Sequence, residues 1–383
     1  MKSVYLDNNA TTPVAPEVLE AMLPYLTEEY GNPSSMYSLS GRSERAMALA
    51  REQVAELLGA EPDEIIFTAC GTESDNTAFY SALETQPGKN HLITTKVEHA
   101  AVLNSAAEYE RKGLPVTWLG VDGAGRLNLD ELEQALSADT ALLAVMYANN
   151  ETGTIFPVPR IAELAAERGI QMLTDAVQAV GKIPLNLKKL PVTYLALSGH
   201  KLHAPKGIGV LYVRRGTRFV PFIKGGHQEH GHRAGTENVP YIVGLGKACE
   251  IARKRFHEEE RVAGLRDRLE KGILELVPDA LVNGDVDNRL PGTSNIAFKH
   301  IEGEAILLLL DRVGIMASSG SACTSGSLEP SHVLRAMGVP YTYAHGSIRF
   351  SLSRYTSEDD VDYVLRELPP IIKRLREISP FTG

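Results

Sequence analysis

The sequence predicts an α/β protein: a mainly parallel seven-stranded sheet with helices on both faces, joined to a smaller α+β domain. Three observations predict it. Short apolar runs alternate with helix-period segments from about residue 45 to 215. After Tyr241 the pattern changes to a charged amphipathic helix followed by short strands and helices. The chain, at 383 residues, is also long enough to bury two cores.

In chain order the strand candidates are 64–68, 91–95, 115–119, 141–148, 171–175, 194–198 and 209–213, with helical stretches at 43–58, 100–111, 129–136 and 160–168. One helix is expected over 242–277, where Val262, Leu265, Leu269, Ile273 and Leu276 recur at helical spacing and Pro278 ends the run. Strands at 294–298 and 347–351 and helices at 302–313 and 357–378 complete the smaller unit. These patterns assign a large domain to 15–255 and a small one to 1–14 together with 256–383.

Composition narrows the function. The net charge of −9 disfavours nucleic acid and anionic membrane surfaces as main partners. No apolar run approaches the roughly 20 residues of a membrane span. The first residues lack the apolar core of a secretory signal. Three widely separated cysteines, Cys70, Cys249 and Cys323, argue against a disulfide framework and for a reducing cytoplasm.

In open parallel sheets ligands gather at the carboxyl ends of the strands. The first run is followed by Cys70-Gly71-Thr72-Glu73-Ser74, the second by Glu98-His99 and the fourth by Asn149-Asn150-Glu151-Thr152-Gly153. The fifth ends in Asp175 and leads to Gln178, and the sixth ends in Ser198 and leads to His200 and Lys201. Singly, each has an ordinary use. Gly71-Thr72 and Asp175 could cap helices, His99 could be a loop histidine, and Lys201 a solvated surface lysine. Together they offer a helix N-terminus for a phosphate, an imidazole to stack on a ring or shuttle protons, and a carboxylate to hold a proton on a pyridine nitrogen. Lys201 adds an amine placed to form a Schiff base with a carbonyl cofactor. That set points to pyridoxal 5′-phosphate.

Longer motifs accompany it: Tyr5-Leu6-Asp7-Asn8-Asn9-Ala10-Thr11-Thr12, Gly31-Asn32-Pro33-Ser34-Ser35, Arg233-Ala234-Gly235-Thr236-Glu237-Asn238, Ser318-Ser319-Gly320-Ser321-Ala322-Cys323-Thr324-Ser325-Gly326 and Arg349-Phe350-Ser351. On these and the strand-end motifs the chain resembles, from end to end, the cysteine desulfurases of the nitrogen-fixation (NifS-like) type, in the class V aminotransferase family. The resemblance implies the type I aminotransferase fold, a cytoplasmic homodimer and pyridoxal phosphate as cofactor. It also implies conversion of L-cysteine to L-alanine, with the sulfur held as a persulfide on Cys323 and passed to an iron–sulfur scaffold or another acceptor protein. A selenocysteine lyase or an aminotransferase of the same fold is the alternative.

By the same resemblance Lys201 carries the cofactor, Asp175 pairs with the pyridine nitrogen, Gln178 with the ring hydroxyl oxygen, and His99 stacks on the ring and moves protons. Thr72, Ser198 and His200 hold the phosphate, beside the backbone at Gly71, and Thr236 reaches the phosphate of the partner's cofactor. Asn8, Asn150 and Arg349 hold the substrate's α-carboxylate. No resident metal is expected, although Cys323 could transiently ligate a cluster on a scaffold. The small residues at 317–327 suit the role this resemblance implies for Cys323, a thiol that visits the cofactor and then presents sulfur elsewhere. Cys249 reads as structural, and Cys70 as packing near the phosphate site. His227, His230 and His232 form a dense group without the acidic or cysteine partners of a metal centre.

Overall fold

Apolar side chains at nearly every position of a short run fit a strand buried on both faces, and such strands build the centre of this molecule. The structure is a computed structural model that describes residues 2–319 and 329–379; Cys323 lies outside the described residues. The described strands are β1 (Val4–Tyr5), β2 (Ile65–Thr68), β3 (His91–Thr95), β4 (Val116–Leu119), β5 (Thr140–Ala144), β6 (Gln171–Asp175), β7 (Tyr194–Ser198), β8 (Gly209–Val213), β9 (Ala280–Asn283), β10 (Thr293–Phe298), β11 (Ile315–Met316) and β12 (Ser347–Ser351). Strands β2 to β8 form one sheet in the order β2-β8-β7-β6-β5-β3-β4. β8 runs antiparallel to both neighbours, and the remaining pairings are parallel.

Alternation along each strand sends neighbouring side chains into different cores. Ile65, Phe67, Leu143, Leu195 and Tyr212 pack on one face with helices Pro16–Thr27, Ser38–Leu58, Val158–Glu167 and Val239–Lys254. Ile66, Leu142, Leu173, Tyr194 and Leu211 pack on the other, against Phe79 and Ala82 of helix Gly71–Glu84 and Val102 and Ala106 of helix Ala100–Arg111. Helices therefore cover both faces of a mostly parallel sheet.

A separate apolar cluster joins Val4 and Leu6 to Leu269, Ile296, Phe298, Ile306, Phe350, Val364 and Leu368. It surrounds the antiparallel sheet β12-β10-β9 and the parallel pair β1-β11. Leu290, Val333, Leu334 and Met337, although late in the chain, pack into the large cluster.

Two sequence expectations are corrected. The helix expected over 242–277 is two helices, Val239–Lys254 and Glu258–Leu276. Ile242, Leu245 and Cys249 belong to the large cluster and Val262, Leu265 and Leu269 to the small one, so the apolar stripe changes partner and the helix breaks between them. The strand expected over 141–148 ends as a regular ladder at Ala144. The Val145 and Tyr147 amides still donate to the Leu173 and Asp175 carbonyls, at 3.1 and 2.8 Å, which guides the chain along β6 into the site.

Candidate active site

The carboxyl ends of β2, β3, β5, β6 and β7 open on one side of the sheet, around a cavity of about 390 Å³. That is the size range of pockets for small ligands. Its walls bring together Gly71, Thr72, His99, Asn150, Asp175, Gln178, Ser198, His200, Lys201 and Arg349.

Lys201 ends the short 3₁₀ turn Gly199–Lys201 that follows β7. Its amine donates to the carbonyls of Asn9 at 2.5 Å and Ala10 at 2.6 Å, which aims it from the N-terminal segment across the cavity. The same Asn9 carbonyl accepts Gln178 Nε2 at 2.9 Å. Gln178 Oε1 in turn takes Lys182 Nζ at 3.0 Å. Burial lowers the Lys182 ammonium to about 8, so this second lysine loses its charge more readily than a surface one.

Asp175 closes β6 and is buried; its Oδ1 accepts the Val177 amide at 2.9 Å. One oxygen of Asp175, one of Asp75 and a ring nitrogen of His99 lie within 4.8 Å of one another. Burial raises both carboxyls, and Asp75 is raised well above the ordinary range because Asp175 and Glu98 also face it. Asp175 instead faces His99 and Lys201, which pull its value back down. The surroundings thus favour the neutral form of Asp75 and, at Asp175, work against the effect of burial. Asp75 Oδ1 is buried without a hydrogen-bond partner.

His99 caps helix Ala100–Arg111: its Nδ1 accepts the Ala101 amide at 3.2 Å. With Nδ1 an acceptor, the neutral ring carries its proton on Nε2. His200 Nδ1 meets Thr11 Oγ1 at 3.1 Å, and burial first, with nearby lysines second, lowers it to about 4. His200 is thus neutral at physiological pH.

Glu98 stands behind the site, its Oε1 accepting Thr95 Oγ1 at 2.8 Å and the Met146 amide at 3.0 Å. Burial raises its carboxyl from 4.5 to about 8, so the folded protein keeps a proton that the unfolded chain loses, and stability falls as pH rises through that window. Glu98→Gln copies the protonated acid. Its melting temperature should match wild type near pH 4.5 and gain on it progressively toward pH 8; a pH-independent difference would contradict the burial of this carboxyl.

Asn8 and Thr236 of this chain are not brought into the cavity. The Asn8 side chain donates through Nδ2 to the Ser351 carbonyl at 2.7 Å, and Asn9 lines the wall in its place. Thr236 is exposed, on a segment held by Arg233, whose guanidinium donates to both oxygens of Glu73 at 2.9 and 3.2 Å. Asp75 and Asn9 line the cavity although the sequence expectations gave them no role there, Lys182 stands behind Gln178, and Cys70, expected as packing near the phosphate site, lies in the cavity wall. Cys249 is fully buried and its thiol is pushed up to about 12. Among the described residues His227, His230 and His232 do not converge as metal ligands; the His232 ring packs edge-on against Phe219.

The lining fits pyridoxal phosphate. Helix Gly71–Glu84 points its N-terminus at the cavity with no side-chain cap on its amides, an arrangement suited to a phosphate. A Cβ at Gly71 would lie 2.8 Å from Val177 Cγ2, so only glycine lets this helix start approach the end of β6. Across the cavity stand a buried carboxylate for a pyridine nitrogen and an amine for a carbonyl carbon.

The model of the class-V aminotransferase family matches residues 4–364. The chain is 62% identical to a cysteine desulfurase of Trichormus azollae, over 100% of this chain and 96% of that one. It is 59% identical to the cysteine desulfurase NifS of Azotobacter vinelandii, over 100% of this chain and 95% of its relative. A solved NifS-like protein superposes with a TM-score of 0.92 at 41% identity, covering 98% of this chain and 100% of that structure. The chain belongs to the class-V aminotransferase family of pyridoxal-phosphate enzymes, and within it to the cysteine desulfurases.

Proposed function

We propose that this cavity converts L-cysteine to L-alanine and that Cys323 takes the sulfur. The convergence of Lys201, Asp175, His99 and Arg349 on one cavity carries the reading. Gly71, Thr72, Ser198 and His200 would hold the cofactor's phosphate, Asp175 its pyridine nitrogen, Gln178 its ring hydroxyl and Lys201 its carbonyl carbon. When bound, pyridoxal phosphate supplies an electron sink for charge left at the substrate's α-carbon. Arg349 and Asn150 orient the substrate's carboxylate. Lys201 Nζ takes the α-proton, and His99 Nε2 holds a proton over the cavity. The Cys323 sulfur attacks the sulfur of the substrate: the Cβ–S bond breaks, an S–S bond forms, and Cβ takes up a proton. Atoms balance as L-cysteine plus a thiol giving L-alanine plus a persulfide.

The persulfide would pass to a sulfur-acceptor protein for iron–sulfur cluster assembly. A homodimer suits the exposed Leu19, Leu23 and Leu26 at helical spacing on helix Pro16–Thr27, with Tyr30, Met36 and Tyr37 beside them in sequence. In it the exposed Thr236 would serve the partner's phosphate. Residues 15–255 would form the cofactor-binding domain, and 1–14 with 256–383 the domain carrying Cys323. A reducing compartment such as the cytoplasm suits the free thiols of Cys70 and Cys249, and no described helix is long and apolar enough to cross a membrane.

With pyridoxal phosphate, L-cysteine and a thiol reductant, the protein should release alanine and sulfide in equal amounts. Release of pyruvate, or transfer of the amino group to a 2-oxo acid without sulfide, would contradict the reading.

A further inference from the structure

We infer that Asp7 is a positioning residue for substrate recognition: its carboxylate holds the Arg349 guanidinium in the orientation from which the arginine takes the carboxylate of an amino acid. The inference rests on the reading of Arg349 given above. Arg349 Nη2 donates to Asp7 Oδ1 at 2.8 Å and Nη1 to the Asn150 carbonyl at 3.0 Å. Nε is buried and has no hydrogen-bond partner. A planar guanidinium tied at two nitrogens has its plane fixed, and since these bonds use only two of its five N–H donors, the others, Nε among them, remain for an incoming carboxylate at the cavity wall.

Asp7 is itself framed for this task. It bridges to Ser351 in the strand that bears Arg349, and Tyr5 Oη donates to its carbonyl at 3.1 Å. The Asn8 backbone N–H, one residue on, donates to the Ser351 carbonyl at 3.2 Å. On the other side the Arg349 backbone exchanges hydrogen bonds with Ser318, at 2.7 and 3.3 Å. Backbone and side chain are thus pinned separately. Without Asp7 the buried guanidinium would lose its charged partner and be free to turn toward water or Asn150, at a cost to any ligand that needs the original orientation.

The test compares ligands with and without a carboxylate in the cofactor-loaded protein. Binding of L-alanine and of ethylamine, the same amine without the carboxylate, is read from the absorption of the bound cofactor, and KM is measured for L-cysteine. Asp7→Ala should weaken L-alanine and raise the cysteine KM about tenfold or more, with ethylamine unchanged. Asp7→Asn, which keeps the volume and one acceptor oxygen, should give a smaller selective loss. Equal weakening of both ligands, or no effect in either variant, would overturn the inference. Arg349→Ala separates the two readings. Selective loss of L-alanine there but in neither Asp7 variant would overturn only the role of Asp7. Intact L-alanine binding in Arg349→Ala would overturn the reading of Arg349 and, with it, that of Asp7.

Discussion

Lys201→Ala should lower turnover of L-cysteine by about 10²–10⁴-fold, the range for removing a positioned acid–base group. Lys201 also bonds two backbone carbonyls, so a loss through disorder has to be separated from a loss of chemistry. Lys201→Arg does this. The guanidinium keeps a positive charge and can donate to the Asn9 and Ala10 carbonyls, but it stays protonated and forms no covalent link to a carbonyl carbon. It should therefore be about as inactive as the alanine variant while melting near the wild-type temperature. Steady-state alanine release and thermal scans on the three proteins check this. Activity in Lys201→Arg close to wild type would remove Lys201 from the chemistry.

Cys323→Ser should keep the cofactor's yellow colour and lose sulfide release by more than about 10²-fold, because the nucleophile that takes the sulfur is gone. Two other thiols could be suspected of the same work. Cys249 is unsuited, since burial pushes its thiol up to about 12 and the thiolate is the reactive form. Cys70 lies in the cavity wall at the start of helix Gly71–Glu84, so it is the informative control. Cys70→Ser should retain most of the sulfide release that Cys323→Ser loses. Parallel assays of sulfide and alanine across the two variants decide between them.

The sheet was legible because short runs with a buried apolar centre, such as 91–95, 171–175 and 194–198, alternate with helix-period segments, and these three match β3, β6 and β7 to the residue. Helix Pro16–Thr27 was not. Val18 and Met22 are buried while Leu19, Leu23 and Leu26 are exposed, so it is apolar around much of its circumference, and Pro24 interrupts the pattern. In the site, the residues that end or directly follow strands were legible because topology alone sends them to one place. Those missed have different causes. Asp75 lies one turn into a helix, where nothing local separates a buried acid from a solvated one. Asp7 is 342 positions from the arginine it orients. Asn9 acts on Lys201 and Gln178 through its carbonyl, which every residue possesses. Asn8 and Asn9 are adjacent asparagines, and only the fold decides which one faces the cavity.

The route of the sulfur is the centre of this account, and its location after a single turnover tests that route most directly. The cofactor-loaded protein is given one equivalent of L-cysteine without reductant, alkylated, digested and weighed peptide by peptide. The account predicts one additional sulfur atom on the peptide containing Cys323, matched by one equivalent of alanine in solution. Alanine formed with the sulfur on the Cys70 peptide, or with no sulfur on the protein, would contradict it.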